Sequence, residues 1–233
     1  MRRGKMKIIR YCISMILAIL ALATTQLWAE STISNTTSGW IGWNGSGFEQ
    51  ANNTTYSAGN FESYQLDNYF VFDLSGVSGT VTGATFNVES YTIAGSGGTF
   101  NIYATSLTPA EAEQNPTNPY YSARTSGTLI GSIAIDPATD QNVLLNLSLN
   151  SAGQSWLQAN EGNQIVLGGS YTSPGTGYQY AFGYSRSNSD NVLDIQTGGT
   201  ASVPEPSALW MLWGSGLAVL AGFFVRRKTG LRA

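Results

Sequence analysis

The stretch "NYFVFDLSGVSGTVTGATFNVESY", residues 68–91, indicates the fold class of this chain. It contains two runs rich in aromatic and β-branched residues, 69–74 and 80–91, with a Gly- and Ser-rich segment between them. Apolar and polar residues alternate in the second run, which is typical of a strand with one buried face. The stretch therefore predicts two β-strands separated by turn residues.

Similar strand-like runs follow along the chain, separated by segments rich in Gly, Asn, Ser and Pro. About eight short strands in one domain are typical of an antiparallel β-sandwich of jelly-roll type. The sequence therefore predicts an all-β fold. The further predicted strands are residues 99–104, 128–135, 143–149, 165–167, 178–185 and 192–195.

Two short helices are expected among these strands. In residues 108–114, Thr108 is followed by Pro109 and then by Glu111, which is the capping-box pattern of a helix start. In residues 150–162, Asn150 suits the N-cap position and a closing glycine suits the C-terminal end. We expect both helices to cover an end of the sandwich.

The N-terminal segment has the layout of a secretory signal peptide. Five basic residues precede 13 largely apolar ones, residues 11–23. As a helix this run would be roughly 20 Å long, short of the roughly 30 Å hydrocarbon layer that an uncleaved anchor would have to cross. We predict cleavage after Ala29, with Ala23 as the alternative, so that residues 1–29 form the signal peptide.

The C-terminal segment predicts a single transmembrane helix. All 19 residues of the segment 207–225 are uncharged, and as a helix the segment would be roughly 28 Å long, just enough to cross the hydrocarbon layer. Arg226, Arg227 and Lys228 follow at once. By the positive-inside rule these cations hold residues 226–233 in the cytoplasm, so the body of the chain lies on the other side of the membrane.

Pro204, Glu205 and Pro206 lie immediately outside that span. The two prolines fix the backbone and remove N–H donors, which leaves an extended segment that a processing enzyme can bind. Together with the span and the basic end, residues 204–233 resemble the PEP-CTERM sorting signal of Gram-negative bacteria that make exopolysaccharide. The resemblance implies cleavage by a membrane exosortase and transfer to the cell surface or matrix. The alternative is an ordinary anchor with a proline-containing linker.

The remaining body, residues 30–203, is acidic. It contains 13 of the 14 acidic residues and two of the 11 basic ones, which gives a formal charge of −11. So few cations exclude binding to a nucleic-acid backbone. The chain has no histidine, and its one cysteine, Cys12, lies in the signal peptide. The body therefore has no disulfide, no Ser-His or Cys-His pair and no usual zinc ligand set.

The body also resembles a recurrent exported β-domain of PEP-CTERM proteins. The resemblance rests on the opening stretch, on "SLNSAGQSWLQANEGNQIVLGGSY" and on "YAFGYS", within roughly residues 65–195. It implies a hairpin containing "FDLSGV", then a helix, then a strand with a "GG" pair. It implies a sandwich and no catalytic residue.

Aromatic residues are the candidate glycan platform. Trp40 and Trp43 lie in "GWIGWNGSG", where the glycines suggest a loop or an edge that exposes rings to stack on the C–H faces of sugars. A second set, at strict spacing of two, would share one face of a strand. For this second set we expect burial in the core, with the tyrosine hydroxyl groups at its rim, and a glycan platform is the alternative. The second set comprises Tyr178, Tyr180, Phe182 and Tyr184.

Acidic residues suggest two further sites. Oxygen ligands of Ca²⁺ are found in "DPATDQN" (Asp136, Asp140, Asn142) and in "SNSDNVLD" (Asn188, Asp190, Asp194), although neither has EF-hand spacing and Asp and Asn also favour turns. Carboxylate pairs such as Glu111 with Glu113, or Glu62 with Asp67, would suit a glycosidase if they faced each other across a cleft.

The expected function is non-catalytic. The sequence favours an exported, exosortase-processed surface or matrix protein with a structural or adhesive role linked to exopolysaccharide and biofilm. Its expected partners are the exosortase, matrix polysaccharide and, before processing, the membrane. No cofactor is required, with Ca²⁺ as the one candidate. The alternatives are a carbohydrate-binding module for a specific glycan and a glycan-acting hydrolase.

Overall fold

The computed structural model describes residues 28–52, 55–113, 118–182 and 191–198. Most of the predicted signal peptide, the processing motif and the predicted span 207–225 lie outside these residues. Within the described part of the chain, no helix is long and apolar enough to cross a membrane.

The described residues form mostly antiparallel β-structure with three short helices. The helices are α1 (Pro109–Glu113), α2 (Asn118–Ala123) and α3 (Ser151–Ala159). The strands are β1 (Trp28–Ser34), β2 (Thr37–Trp43), β3 (Phe48–Asn52), β4 (Ala58–Phe61), β5 (Tyr64–Asp73), β6 (Thr80–Glu89), β7 (Gly98–Ala104), β8 (Thr128–Ile135), β9 (Leu144–Ser148), β10 (Gln164–Thr172), β11 (Gln179–Ala181) and β12 (Val192–Gly198).

The strands form two sheets. The smaller sheet has the order β1-β12-β6-β9. The larger sheet has the order β11-β4-β5-β10-β7-β8, and β2 adds to β5 and carries β3. The first strand of the smaller sheet pairs with the last one, from Trp28 opposite Gly198 to Ser34 opposite Val192.

The opening stretch supplies one strand to each sheet. It forms β5 and β6, and the chain between them crosses from the larger sheet to the smaller one. The hairpin that the resemblance implied is therefore wrong. Instead the two strands face each other through the core, where the Phe86 ring lies 4.8 Å from Phe70 and 5.9 Å from Phe72 between centroids.

The core lies between the two sheets. Phe70 and Phe72 point inward from β5, whereas the alternate residues Tyr69 and Val71 point outward, because side chains of a strand alternate between its faces. The outward pair packs in a second, smaller cluster with Ala112 of α1 and Val166 of β10. The larger sheet therefore has apolar contacts on both faces.

The predicted strands after residue 64 are confirmed as β5 to β12, although β11 covers only residues 179–181 of the predicted 178–185. Strands β1 to β4 and helix α2 were not predicted. β1 includes Trp28 and Ala29, which pair with Gly198 and Thr197. Cleavage after Ala29 stays a prediction.

Both predicted helix starts are confirmed. The Thr108 backbone N–H donates to a Glu111 carboxylate oxygen over 2.8 Å, and the Glu111 N–H donates back to the Thr108 hydroxyl over 3.3 Å. Asn150 caps α3 by accepting from the N–H of Gly153 at 3.0 Å. Local side-chain bonds of this kind are readable from sequence because both partners lie within one turn.

The "GG" pair of β10 has a steric reason. A Cβ on Gly168 would lie 2.0 Å from the Arg124 carbonyl oxygen, and a Cβ on Gly169 would lie 2.0 Å from Oδ1 of Asn68. One glycine therefore lets the α2 end approach the outer face of the sheet. The other makes room on the inner face.

Candidate functional site

An aromatic cleft forms at the inward face of the larger sheet. Trp40 is opposite Asn68 across β2 and β5, and Tyr180 is opposite Gly59 across β11 and β4, which brings both rings to one side. The cleft has a volume of about 270 Å³. Its lining residues are Trp40, Thr55, Ser57, Phe61, Leu66, Thr92 and Tyr180.

Phe61 connects the rings at the cleft rim. Its ring meets Tyr180 at 5.2 Å and 75°, and Tyr178 at 5.6 Å and 81°, both edge to face. Phe61 is 38% exposed and Tyr178 is 54% exposed. Exposed apolar rings grouped in this way are characteristic of binding surfaces rather than of scattered surface residues.

Two glycines make space for this arrangement. A Cβ on Gly42 would lie 2.7 Å from Cδ2 of Leu66 and 3.2 Å from Cζ3 of Trp40. A Cβ on Gly59, whose φ is +113°, would lie 2.2 Å from the Gln179 carbonyl oxygen. The Trp40 indole N–H donates to the Thr55 hydroxyl over 3.0 Å, which fixes the ring orientation.

Trp43 does not join Trp40. The two tryptophans lie in β2, which pairs with both β3 and β5, so the expected loop or edge position is wrong. Trp43 is opposite Gln65 and lies three positions after Trp40 in the strand, an odd spacing that places the two rings on opposite faces of the sheet. Of the predicted tryptophan pair, only Trp40 lines the cleft.

The four-ring face predicted for residues 178–184 is also wrong. Phe182 has φ of +64°, which ends the strand alternation, and its ring is buried 4.4 Å from Phe100. The core interpretation therefore applies to Phe182, while Tyr178 and Tyr180 are at the cleft. Tyr184 lies outside the described residues.

A polar groove lies on the outward face of the smaller sheet and has a volume of about 540 Å³. Sequence analysis missed it, because its residues come from four strands and α3. The signal was present in the polar positions that alternate with buried ones along each strand. The groove is lined by Glu30, Gly83, Ala84, Thr85, Asn87, Asn146, Ser148, Leu149, Gln154, Asp194 and Gln196.

The predicted calcium ligands do not come together among the described residues. Asp194 lies in β12, not in a turn, and accepts from the Thr32 hydroxyl at 2.7 Å and from Nδ2 of Asn87 at 2.6 Å. Asp136 and Asp140 stabilise their own turn, since Asp140 accepts from the Asp136 N–H at 2.8 Å. Asp190 and Asn188 lie outside the described residues. Within the described residues, no group of three acidic, Cys or His side chains could hold a metal ion.

The candidate hydrolase pairs have other surroundings. Glu111 belongs to the capping box, with Glu113 two residues on in α1. Glu62 is exposed in the turn between β4 and β5, whereas Asp67 is 5% exposed on the outward side of β5. Burial raises the pKa of Asp67 to about 7, and the positive charge of Arg124 opposes that rise.

Arg124 is a structural cation. It is fully buried, donates from Nη2 to the Ala112 carbonyl over 2.6 Å, and donates from Nη1 to the Tyr120 carbonyl. Its guanidinium also lies 5.1 Å from the centre of the Tyr69 ring. Burial lowers the pKa of Arg124 to about 10, so the side chain stays charged at neutral pH. These contacts tie α1 and α2 to the larger sheet.

The processing motif Pro204, Glu205 and Pro206 and the orienting cations Arg226, Arg227 and Lys228 lie outside the described residues. Comparison of the chain with models of known protein families and with curated proteins found no match.

Proposed function

We propose that this chain is an exported, non-catalytic β-sandwich protein of the cell surface or matrix that holds polysaccharide in its aromatic cleft. The observation that carries the proposal is the set of partly exposed rings, Phe61, Tyr178 and Tyr180, around the recess lined by Trp40. The role is structural or adhesive, and the glycan contact supplies the adhesion.

The chemistry of the cleft suits a sugar. Pyranose rings present apolar C–H faces that stack on aromatic rings, and they carry hydroxyl groups that need hydrogen-bond partners at the edge. The Thr55, Ser57 and Thr92 side chains line the cleft beside the rings. A pocket with apolar walls and a few polar groups is the usual form of a small-ligand site.

A hydrolytic role receives less support. Glycoside hydrolysis needs two carboxyl groups about 5 to 9 Å apart across the bond that is cleaved. None of the described residues that line the cleft is acidic. The proposal therefore treats the cleft as a site of retention and not of turnover.

The strand order supports the jelly-roll form of the sandwich. The orders β1-β12-β6-β9 and β5-β10-β7-β8 contain eight strands in two antiparallel sheets, with β2, β3, β4 and β11 as additions. Jelly rolls consist of eight strands in two such sheets.

The two ends of the sequence support the proposed route. In this proposal, residues 1–29 direct export and residues 207–225 hold the chain in the inner membrane. Residues 204–206 then form the segment that an exosortase recognises. The proposed final location is the cell surface or extracellular matrix, which is where a polysaccharide-holding protein would act.

Affinity electrophoresis of the full chain, purified in mild detergent, tests the cleft. We expect retardation in gels that contain a neutral matrix polysaccharide, and we expect Trp40→Ala and Tyr178→Ala to lose most of it. Trp43→Ala is the matched control, because Trp43 lies on the opposite face of β2. Equal losses in Trp40→Ala and Trp43→Ala, or no retardation in any gel, would overturn the proposal.

A further inference from the structure

The polar groove is built from three rows of side chains that run across the smaller sheet. The first row joins Glu30 to Gln196 and then to Gly83. The second joins Thr32 to Asp194, Thr85 and Ser148, and the third joins Val192 to Asn87 and Asn146. Residues in register across strands share one face, so the polar side chains of these rows lie side by side on the outward face of the sheet.

The groove residues are held in place by the sheet and by one another. Asp194 accepts from Thr32 on one neighbouring strand and from Asn87 on the other. The Gln196 side chain occupies the space above Gly83, where an added Cβ would lie 2.8 Å from its Oε1. Fixed polar groups on rigid strands lose little conformational entropy when a ligand binds.

The charge of the groove selects the ligand class. Its lining contains the carboxylates Glu30 and Asp194 and, among the described lining residues, no cation. Arg124, the one basic residue of the described part of the chain, is fully buried. A phosphate, sulfate or uronate would meet repulsion without a compensating charge. Neutral hydroxyl groups can instead donate to carboxylates and amide oxygens and accept from amide N–H groups.

We propose that the polar groove is a second glycan-binding site, for a neutral polysaccharide chain, so that one molecule bridges two polymer chains. The inference rests on the proposed function of the aromatic cleft and extends it. The two sites share no lining residue, and they belong to the outward face of one sheet and the inward face of the other. The volume of the polar groove, about 540 Å³, lies in the usual range for ligand sites, roughly 300–1,000 Å³.

Calorimetric titration of the full chain in detergent with neutral hexasaccharides of cellulose, xylan and mannan tests the groove. For the hexasaccharide that binds, we expect two sites per chain. Asn146→Ala/Gln196→Ala should weaken one site by about tenfold or more, because two exposed hydrogen-bonding side chains are lost. Thr128→Ala/Gln164→Ala is the matched control, since both are exposed polar residues of the larger sheet.

The outcomes separate the two proposals. If the chain binds sugar at one site only, and Trp40→Ala abolishes that binding whereas Asn146→Ala/Gln196→Ala leaves it unchanged, the groove proposal is overturned and the cleft proposal stands. If the chain binds at one site only, and Asn146→Ala/Gln196→Ala alone abolishes that binding, the cleft proposal is overturned and the groove proposal stands. Binding of oligogalacturonate to the groove as tightly as neutral sugar would overturn the neutral assignment, as would no binding of any hexasaccharide.

Bridging has its own readout. Mixing the full chain with the corresponding long polysaccharide should raise turbidity, and either Trp40→Ala or Asn146→Ala/Gln196→Ala should abolish that rise. A chain with two sites that raises no turbidity would show that the sites do not bridge separate polymers.

Discussion

Two buried ionisable residues set the character of the outer face of the larger sheet. The Arg124 guanidinium donates hydrogen bonds to backbone carbonyl groups of α1 and α2. Burial raises the pKa of Asp67, on β5, and the positive charge of Arg124 is close enough to oppose that rise. Buried ionised groups are costly unless they have partners. For Asp67, desolvation outweighs the attraction to Arg124, because its pKa is raised and not lowered.

This raised pKa predicts a pH dependence of stability. Between about pH 4 and pH 7 the folded chain keeps a proton on Asp67 that the unfolded chain has lost. The contribution of this group to the free energy of unfolding should therefore fall as the pH rises through that range, and stay low above it. Urea unfolding of the unmodified chain and of Asp67→Asn should show a difference that declines from about pH 4 to pH 8. A difference that is constant with pH would contradict the prediction.

At the scale of elements, the strands after residue 64 are readable from sequence because apolar and polar residues alternate within each of them. The first four strands are not, since residues 28–61 are rich in Ser, Thr, Asn and Gly, and the apolar residues among them do not alternate regularly with polar ones. Alternation also says nothing about partners. It therefore identified β5 and β6 as strands without showing that they lie in opposite sheets.

For the candidate sites too, single residues were predictable from the sequence, whereas the contacts between distant strands were not. Trp40 and Tyr180 were recognisable as aromatic candidates, but their meeting with Phe61 depends on the register of β4 with β5 and β11. The rows of the polar groove join strands more than 100 residues apart in the chain, such as β6 and β12. Contacts of that kind are fixed by tertiary packing, which composition and spacing do not encode locally.

Helix α3 provides a prediction at this scale. Asn150 caps the helix through the Gly153 N–H and also donates to the Leu129 carbonyl of β8 over 3.1 Å, so it joins the helix to the larger sheet. Asn150→Ala should lower the free energy of unfolding by about 1 kcal/mol. Ser155→Ala, at an exposed position of the same helix, is the control in a urea titration. Equal midpoints for the two variants would show that the cap contributes nothing.

For the whole molecule, the C-terminal segment predicts temporary retention in the inner membrane. Intact-mass measurement of the surface or matrix form should find a C-terminus near residues 203–206, with the span removed. Changing Pro204 and Pro206 to alanine should leave the full tail in place and the protein in the inner membrane. Surface-located protein that still carries Phe223, Phe224 and Arg226 would show a permanent anchor instead.

The pairing of β1 with β12 links folding to the order of export. The smaller sheet has β12 between β1 and β6. On the proposed export route, this sheet would stay incomplete until residues 192–198 had crossed the membrane. Pairings between segments this distant in the chain form slowly, because a long loop must close before the contacts stabilise it. If the chain is exported as proposed, the edges of β1 and β6 that face β12 would stay unpaired for most of the translocation. We expect β12, the last strand to leave the membrane before the proposed transmembrane span at residues 207–225, to complete the smaller sheet.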